Sequence, residues 1–161
     1  EVEDISKKVD ITKNPFSIYI TGIDTYGSIS TASRSDVNIV VTVNPKTKKV
    51  MLTSIPRDYY VKLHSKKEND KLTHAGIYGV EESVTTIEDL LNLDINYYVK
   101  VNFTSLIDIV DSINGITVNS NYDFKTGVYD SNTRPYSFKK GKNELNGKEA
   151  LAFSRERKAF K

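Results

Sequence analysis

The 161-residue chain has no cysteine. That excludes a disulfide framework, thiol chemistry and thiolate metal sites, and leaves hard oxygen ligands for any metal. A strong charge of one sign is missing too: 23 Lys+Arg stand against 21 Asp+Glu, a formal +2. No global basic field marks a nucleic-acid binder, so any anion specificity must be local. Long hydrophobic runs are lacking as well. The longest, such as Ile39 to Val43, fall far below the roughly 20 residues that span a bilayer, and no charged start with an apolar stretch opens the chain. Internal repeats and low-complexity tracts are absent. What remains suits one compact domain over residues 16–161, with 1–15 as a charged lead-in or linker from an upstream segment. The chain opens mid-pattern at Glu1 and stops abruptly at Lys161, so an excised piece of a longer, anchored protein is expected.

The residues present fall into clear segments. Phe16 to Gly22, Val37 to Asn44 and Lys49 to Ile55 are β-branched and aromatic, predicting three largely buried strands. Asn44-Pro45-Lys46-Thr47-Lys48 suits a tight turn that makes the second and third antiparallel neighbours, and Pro56 ends the third. Glu81 to Leu91 places Val84, Ile87, Leu90 and Leu91 on one helical face, with acidic residues in its first turn. Asn96 to Phe103 alternates as a strand. Thr104 is the expected N-cap of a helix carrying Leu106, Ile107, Val110 and Ile113, stopped by Asn114-Gly115 and followed by a short strand at Ile116 to Val118. Ser120 to Lys142 reads as a long surface excursion, and Leu145 to Phe153 as a short helix. The fold class expected is α/β, an α/β/α sandwich with a central mixed sheet and helices on both faces.

Strand ends bring charge together. If the first two strands adjoin, Asp24 at the end of one and Arg34 and Asp36 at the start of the next share a sheet edge, and the third strand returns to that edge at Arg57. Two carboxylates with two guanidinium groups match a Mg²⁺-bound pyrophosphate, because Mg²⁺ takes one or two carboxylates plus phosphate oxygens and Arg pairs bidentately with phosphate. The ordinary reading of the same quartet is a set of solvated surface ion pairs. Near the C-terminus, an extended segment from about Phe153 would put Phe153, Arg155 and Arg157 on one face, an apolar patch leading into a cationic one that suits a lipid with an anionic head group. The plainer alternative there is an exposed strand end with simple Arg-Glu-Arg charge alternation.

Gly22-Ile23-Asp24, Arg34-Ser35-Asp36, Ser54-Ile55-Pro56-Arg57-Asp58, Lys71-Leu72-Thr73-His74-Ala75, Val101-Asn102-Phe103 and Ser154-Arg155-Glu156-Arg157 together resemble the LytR-CpsA-Psr family of Gram-positive cell-envelope proteins. The resemblance runs from about Phe16 to the end. It implies a membrane-anchored phosphotransferase at the extracellular face of the cytoplasmic membrane. Such an enzyme moves a phosphate-linked glycopolymer, capsule or wall teichoic acid, from undecaprenyl pyrophosphate to peptidoglycan. It further implies Mg²⁺, or Mn²⁺ in its place, on Asp24 and Asp36, with the pyrophosphate on Arg34, Arg57, Arg155 and Arg157. No covalent nucleophile is required, and a pyrophosphatase-like side activity is expected. His74 and Phe153 are candidate substrate contacts; a histidine side chain ordinarily changes charge near neutral pH, which invites a general-base reading of His74, whereas His64 reads as solvated.

An apolar tunnel for the lipid would draw its wall from Val84, Ile87, Leu90, Leu91, Leu106, Ile107 and Val110, although apolar residues at helical spacing are ordinarily core. Two departures from the family pattern stand out. A further acidic residue and arginine, implied beyond the Arg-Glu-Arg motif, lie past Lys161, and with them the expected general base, so this piece is expected to fold without necessarily being active. Tyr78-Gly79-Val80 replaces the usual paired glycines. Two competing functions are a non-catalytic polyprenyl-phosphate or glycopolymer binding module and a transcriptional regulator. The second lacks a helix-turn-helix pattern, and the acidic residues Glu81, Glu82, Glu88, Asp89, Asp108 and Asp111 on both helices would repel DNA phosphates.

Overall fold

A computed structural model describes residues 2–4 (backbone only), 9–132 and 134–159. The chain divides into two compact units, Glu1–Asn102 and Phe103–Lys161, and no helix among the described residues is long and apolar enough to cross a membrane.

The first unit opens with β1 (Val2–Asp4), then β2 (Phe16–Ile23), β3 (Ser35–Asn44) and β4 (Lys49–Ser54). A small antiparallel pair follows, β5 (Tyr60–Lys62) with β6 (Asn69–Lys71), and then the single turn α1 (Leu72–Ala75). A 3₁₀ turn at Gly76–Tyr78 leads to α2 (Val80–Leu91), and β7 (Tyr97–Val101) closes the unit. The sheet order is β1-β7-β2-β3-β4. β2 pairs parallel with β7 and the other neighbours are antiparallel, so the expected mixed α/β class holds. The β3–β4 turn forms as its residues dictate. Asn44 Oδ1 accepts the backbone N–H groups of Lys46 and Thr47 at 3.1 and 3.2 Å, and Lys48 takes the left-handed conformation that re-enters the strand.

Tyr19 and Val40 of the sheet pack with Val84 and Ile87 of α2, Leu63, Leu72 and Ile95 into the core of this unit. Each such fully buried side chain contributes about 1.5–3 kcal/mol relative to exposure. The Tyr19 hydroxyl donates to Asn38 Oδ1 at 2.6 Å inside this core, and burial pushes its pKa up. α2 ends with Asn92 in the left-handed conformation, and its start at Gly79 also needs a positive φ, +113°, which suits glycine.

Two expectations for this unit fail. β4 is not buried: Val50, Met51 and Leu52 are exposed by 59, 61 and 67% at the free edge of the sheet. An apolar run reports strand propensity, and burial depends on neighbours that an edge strand lacks on one side. Within the expected lead-in, Val2–Asp4 forms the opposite edge strand, antiparallel to β7. Three backbone rungs hold it, so no side-chain pattern announces it.

The second unit runs α3 (Phe103–Ser112), β8 (Ile116–Ser120), β9 (Phe124–Lys125), β10 (Ser137–Phe138), β11 (Gly141–Leu145) and α4 (Gly147–Arg155). α3 begins one residue before Thr104, which therefore lies in its first turn and is not the N-cap. Its stop is as expected. Asn114 and Gly115 have φ +62° and +94°, Asn114 N–H bonds to Asp111 O, and Gly115 N–H reaches back to Val110 O at 2.8 Å, the paired bonds of a Schellman end. β8 pairs antiparallel with β11.

The Ser120 to Lys142 excursion is more ordered than expected. β9 and β10 pair within it, and the rings of Phe124 and Phe138 meet tilted at 5.1 Å in a second core with Val110, Leu145 and Ala150. A groove of about 410 Å³ beside Asp111, Gly115, Glu144 and Asn146 holds none of the expected site residues.

Candidate functional site

In the first unit the register places the charged edge. The last rung of β2 with β3 is Ile23↔Ser35, after a bulge at Gly22, so Asp24 and Arg34 flank that rung directly. β4 ends at Ser54 opposite Ile39, and Ile55 N–H then donates to Asn38 O at 2.8 Å, extending the pairing one step toward Asp36. Arg57 Nη1 donates to Asp36 Oδ1 at 2.6 Å. Its Nε lies 3.7 Å from Asp58 Oδ2, and Lys71 Nζ is 2.8 Å from Asp58 Oδ1. The result is a chain of alternating charge, Asp36, Arg57, Asp58, Lys71. The bond from Asp36 raises the pKa of Arg57, and the bond from Lys71 lowers that of Asp58. Asp36 and Arg57 therefore meet as expected, and Asp24 and Arg34 stand exposed at the same edge. Asp58 and Lys71 were missed, although both lie inside the quoted motifs.

α1 is tied to this edge by its backbone. Thr73 N–H donates to Arg57 O at 2.9 Å and Leu72 N–H to Tyr59 O at 2.8 Å. A Cβ on Gly76 would stand 2.7 Å from both Ser33 O and Ser35 N, so only glycine permits this approach to the start of β3. His74, next in α1, pairs through Nδ1 with Asp70 Oδ2 at 2.8 Å, which lowers the Asp70 pKa. Asp70 carried no signal in the sequence beyond its charge. His64 is half exposed, as expected, but not simply solvated: it bonds Asp89 at 2.7 Å, and that bond raises its pKa.

The second unit corrects the reading of the C-terminal motif. α4 extends through Arg155, so Phe153 and Arg155 are helical residues and do not share a strand face. Its start is fixed by a capping box, Asn146 accepting from Glu149 N–H and Glu149 from Asn146 N–H, which moves the helix two residues beyond the expected Leu145. Phe153 packs in the second core, 5.2 Å from Phe124 and 5.1 Å from Phe138.

Arg155 donates from Nη1 to Asp130 Oδ2 at 2.7 Å and lies over the rings of Phe103 and Tyr129 at 4.3 and 5.3 Å. Glu156 follows the helix and is only 7% exposed. Its Oε2 accepts from Tyr129 O–H at 2.6 Å and Gly127 N–H at 3.0 Å, and its Oε1 from Lys158 N–H at 2.6 Å and Ala159 N–H at 2.9 Å. These donors, Tyr129 foremost, bring its pKa down to about 2. Glu156 is thus an anchor and not an alternating surface charge. Arg157 is exposed beyond the helix.

The apolar candidates sit in two separate cores. Val84 and Ile87 are fully buried in the first, with Leu90 and Leu91 packed against it. Val110 belongs to the second, with Leu106 packed against it, and Ile107 presses its backbone on Gly147.

For a divalent cation, no group of three or more His, Cys, Asp or Glu side chains is gathered among the described residues. Asp24 and Asp36, two hard carboxylates at one edge beside Arg57, fit Mg²⁺ only where phosphate and water oxygens complete the shell.

Known proteins resemble this chain in sequence and in fold. The family model described as the LytR_cpsA_psr family matches residues 1–160. Polyisoprenyl-teichoic acid–peptidoglycan teichoic acid transferase TagU of Bacillus subtilis is 45% identical over 154 residues, covering 94% of this chain and 47% of the relative. The crystal structure of B. subtilis TagV superposes with a TM-score of 0.79 at 40% identity, covering 91% of this chain and 57% of that one. A structure of YwtF (TagT) with bound octaprenyl pyrophosphate lipid gives 0.76 at 36% identity, covering 94% and 60%. The chain spans about half the length of the curated relatives it matches. With the expected motifs in place on a mixed α/β fold and the match running through both units, the chain belongs to the LytR-CpsA-Psr family.

Proposed function

We propose that the protein carrying this chain transfers a phosphate-linked glycopolymer, of the wall teichoic acid or capsule type, from a polyprenyl pyrophosphate carrier to peptidoglycan at the Gram-positive cell envelope. The observation that carries the reading is the Asp36–Arg57 pair at 2.6 Å on the sheet edge that Asp24 and Arg34 share. It occurs in a family in which TagU is named a teichoic acid transferase and TagT binds octaprenyl pyrophosphate.

In the reaction, the acceptor hydroxyl oxygen bonds to the glycopolymer's phosphorus as the bridging P–O bond to the carrier's phosphate breaks. The hydroxyl proton passes to a base, and the carrier leaves as polyprenyl phosphate. Such transfer needs positioning and charge stabilisation more than covalent chemistry. Arg34 and Arg57 are assigned to the phosphate oxygens, as the family resemblance implies also for Arg155 and Arg157. Asp24 and Asp36 would hold Mg²⁺, which when bound supplies charge neutralisation on those oxygens. His74, which follows Thr73 in α1, is a further candidate substrate contact, and the half-buried Leu90 and Leu91 of the first unit and Leu106 and Ile107 of the second are the apolar candidates nearest the surface for lipid.

The test is transfer of a lipid-linked glycopolymer to peptidoglycan with Mg²⁺ and with chelator. Arg57→Ala should lower turnover by ~10²–10³, the loss typical of one well-placed charge-stabilising donor, and Asp36→Asn, which removes a carboxylate assigned to Mg²⁺, should lower it as well. Lipid binding with neither glycan transfer nor phosphate release would instead identify a binding module.

A further inference from the structure

The Arg155 guanidinium is fixed by Asp130 and Tyr129, which no quoted motif includes, and by Phe103, which closes the Val101-Asn102-Phe103 motif. Asp130 accepts from its Nη1 at 2.7 Å, while Phe103 and Tyr129 lie against its plane at 4.3 and 5.3 Å. Asp130 is itself oriented, since its Oδ1 accepts Asn132 N–H at 2.9 Å and leaves Oδ2 for the arginine. The Tyr129 ring is held from below by its hydroxyl, which donates to Glu156, and Gly127 N–H is bound by the same carboxylate oxygen. The loop 127–130 is therefore tied to α4 at two consecutive residues, Arg155 and Glu156. The pair is largely enclosed, with side-chain exposures of 20% for Arg155 and 27% for Asp130.

We infer that Asp130, Phe103 and Tyr129, latched through Glu156, are positioning residues that present Arg155 to a phosphate-bearing ligand. The ligand class rests on the function proposed above. A free arginine at a helix end spreads over many rotamers, whereas a planar guanidinium held on one nitrogen and against aromatic rings keeps one orientation. Among the described residues the ion pair engages Nη1, and the other N–H donors of the fork suit a bidentate phosphate. Asp130 also cancels the local charge, so it cannot act by attracting the anion. Its effect is on orientation, which separates rate from affinity.

The experiment is a double-mutant cycle on Asp130 and Arg155, read by glycopolymer transfer and by calorimetric binding of inorganic pyrophosphate. Asp130→Ala should lower kcat by ~10-fold, since misplacing a reacting group by about 1 Å can cost up to ~10². Pyrophosphate affinity should fall by no more than about twofold, and Asp130→Asn, whose single amide oxygen can still accept from Arg155 while the Asn132 N–H loses its acceptor, should recover part of the rate. In the Arg155→Ala background, Asp130→Ala should cost nothing further. Equal losses in both backgrounds, or full activity of Asp130→Ala beside an impaired Arg155→Ala, would overturn the positioning role and leave the transferase reading standing. Unchanged transfer by Arg155→Ala would overturn both the positioning role and the assignment of Arg155 to the phosphate. A wild-type protein that binds pyrophosphate but transfers nothing would overturn the transferase reading, and with it the positioning role that rests on that reading.

Discussion

Replacing Glu156 by Gln keeps the shape of the side chain and removes its charge, and the four hydrogen bonds it accepts set the size of the effect. Each carboxylate oxygen accepts two donors, Tyr129 O–H with Gly127 N–H on one, and the N–H groups of Lys158 and Ala159 on the other. A glutamine offers one acceptor oxygen and an NH₂ that can only donate. Whichever way the amide turns, one pair of donors loses its acceptor. The Tyr129 hydroxyl can rotate and accept, but a backbone N–H cannot. Gly127, Lys158 and Ala159 are exposed residues whose freed N–H groups can turn to water, so the loss is that of the charge-assisted bonds themselves, and Glu156→Gln should lose about 1–3 kcal/mol at pH 7. Urea unfolding followed by far-UV circular dichroism measures this directly. The pH dependence gives an independent check. Because the Glu156 pKa is lowered from 4.5 to about 2, its contribution is fully present above the ordinary value and is lost as pH falls through about 2. The stability gap between wild type and variant should therefore narrow across that window. Other carboxylates titrate equally in both proteins and cancel in the difference. A gap under ~0.5 kcal/mol at pH 7, or one that stays constant down to pH 2, would refute the reasoning.

Gly147→Ala should destabilise the second unit: a Cβ there would stand 2.3 Å from Ile107 O and 2.7 Å from Ile107 Cα. Backbone cannot give way as a side chain does, so a clash of ~1–3 kcal/mol or more outweighs the ~1 kcal/mol that alanine gains in a helix, and the melting temperature should fall. In contrast, Leu52→Thr on exposed β4 should change stability by less than ~0.5 kcal/mol, whereas Leu72→Ala in the core should cost ~2–5 kcal/mol; chemical denaturation of the pair tests the corrected burial of that strand.

What was legible in the fold was whatever a side-chain period or a turn residue encodes locally. α2 follows from Val84, Ile87, Leu90 and Leu91 at helical spacing, and the end of α3 from Asn114-Gly115. The β3–β4 hairpin follows from Asn44 and Pro45. Pairings held by backbone alone left no such trace. β1 is three residues, two of them acidic, and its partner β7 lies at the far end of the first unit. β9 and β10 are two residues each, too short for any period to show, and only the meeting of Phe124 with Phe138 marks them. Alternation misled at Phe153, because a helix beginning at a capped Asn146 runs through Arg155 before the chain extends. The signal that places its start was present, since Asn146 and Glu149 have the spacing of a capping box.

The candidate site divides along the same line. Charged residues at strand ends could be placed by following the chain through its turns, and Arg57 does meet Asp36. The acids and rings that hold the motif arginines could not be placed so. Asp130 stands 25 residues before Arg155, in a loop without periodicity, and Glu156 looks like a surface charge until the end of α4 turns it toward the donors of Gly127 and Tyr129. A guanidinium in an ordinary ion pair and one held ready for phosphate present the same letters in sequence. They differ in whether the partner leaves the remaining N–H donors free and in whether neighbouring groups fix the plane. Arg155, bonded through Nη1 to Asp130 with its Cζ over the rings of Phe103 and Tyr129, has both kinds of neighbour. Arg57, 47% exposed, has carboxylates at two points of its fork, Asp36 at Nη1 and Asp58 near Nε, so its neighbours are those of an ion-pair chain.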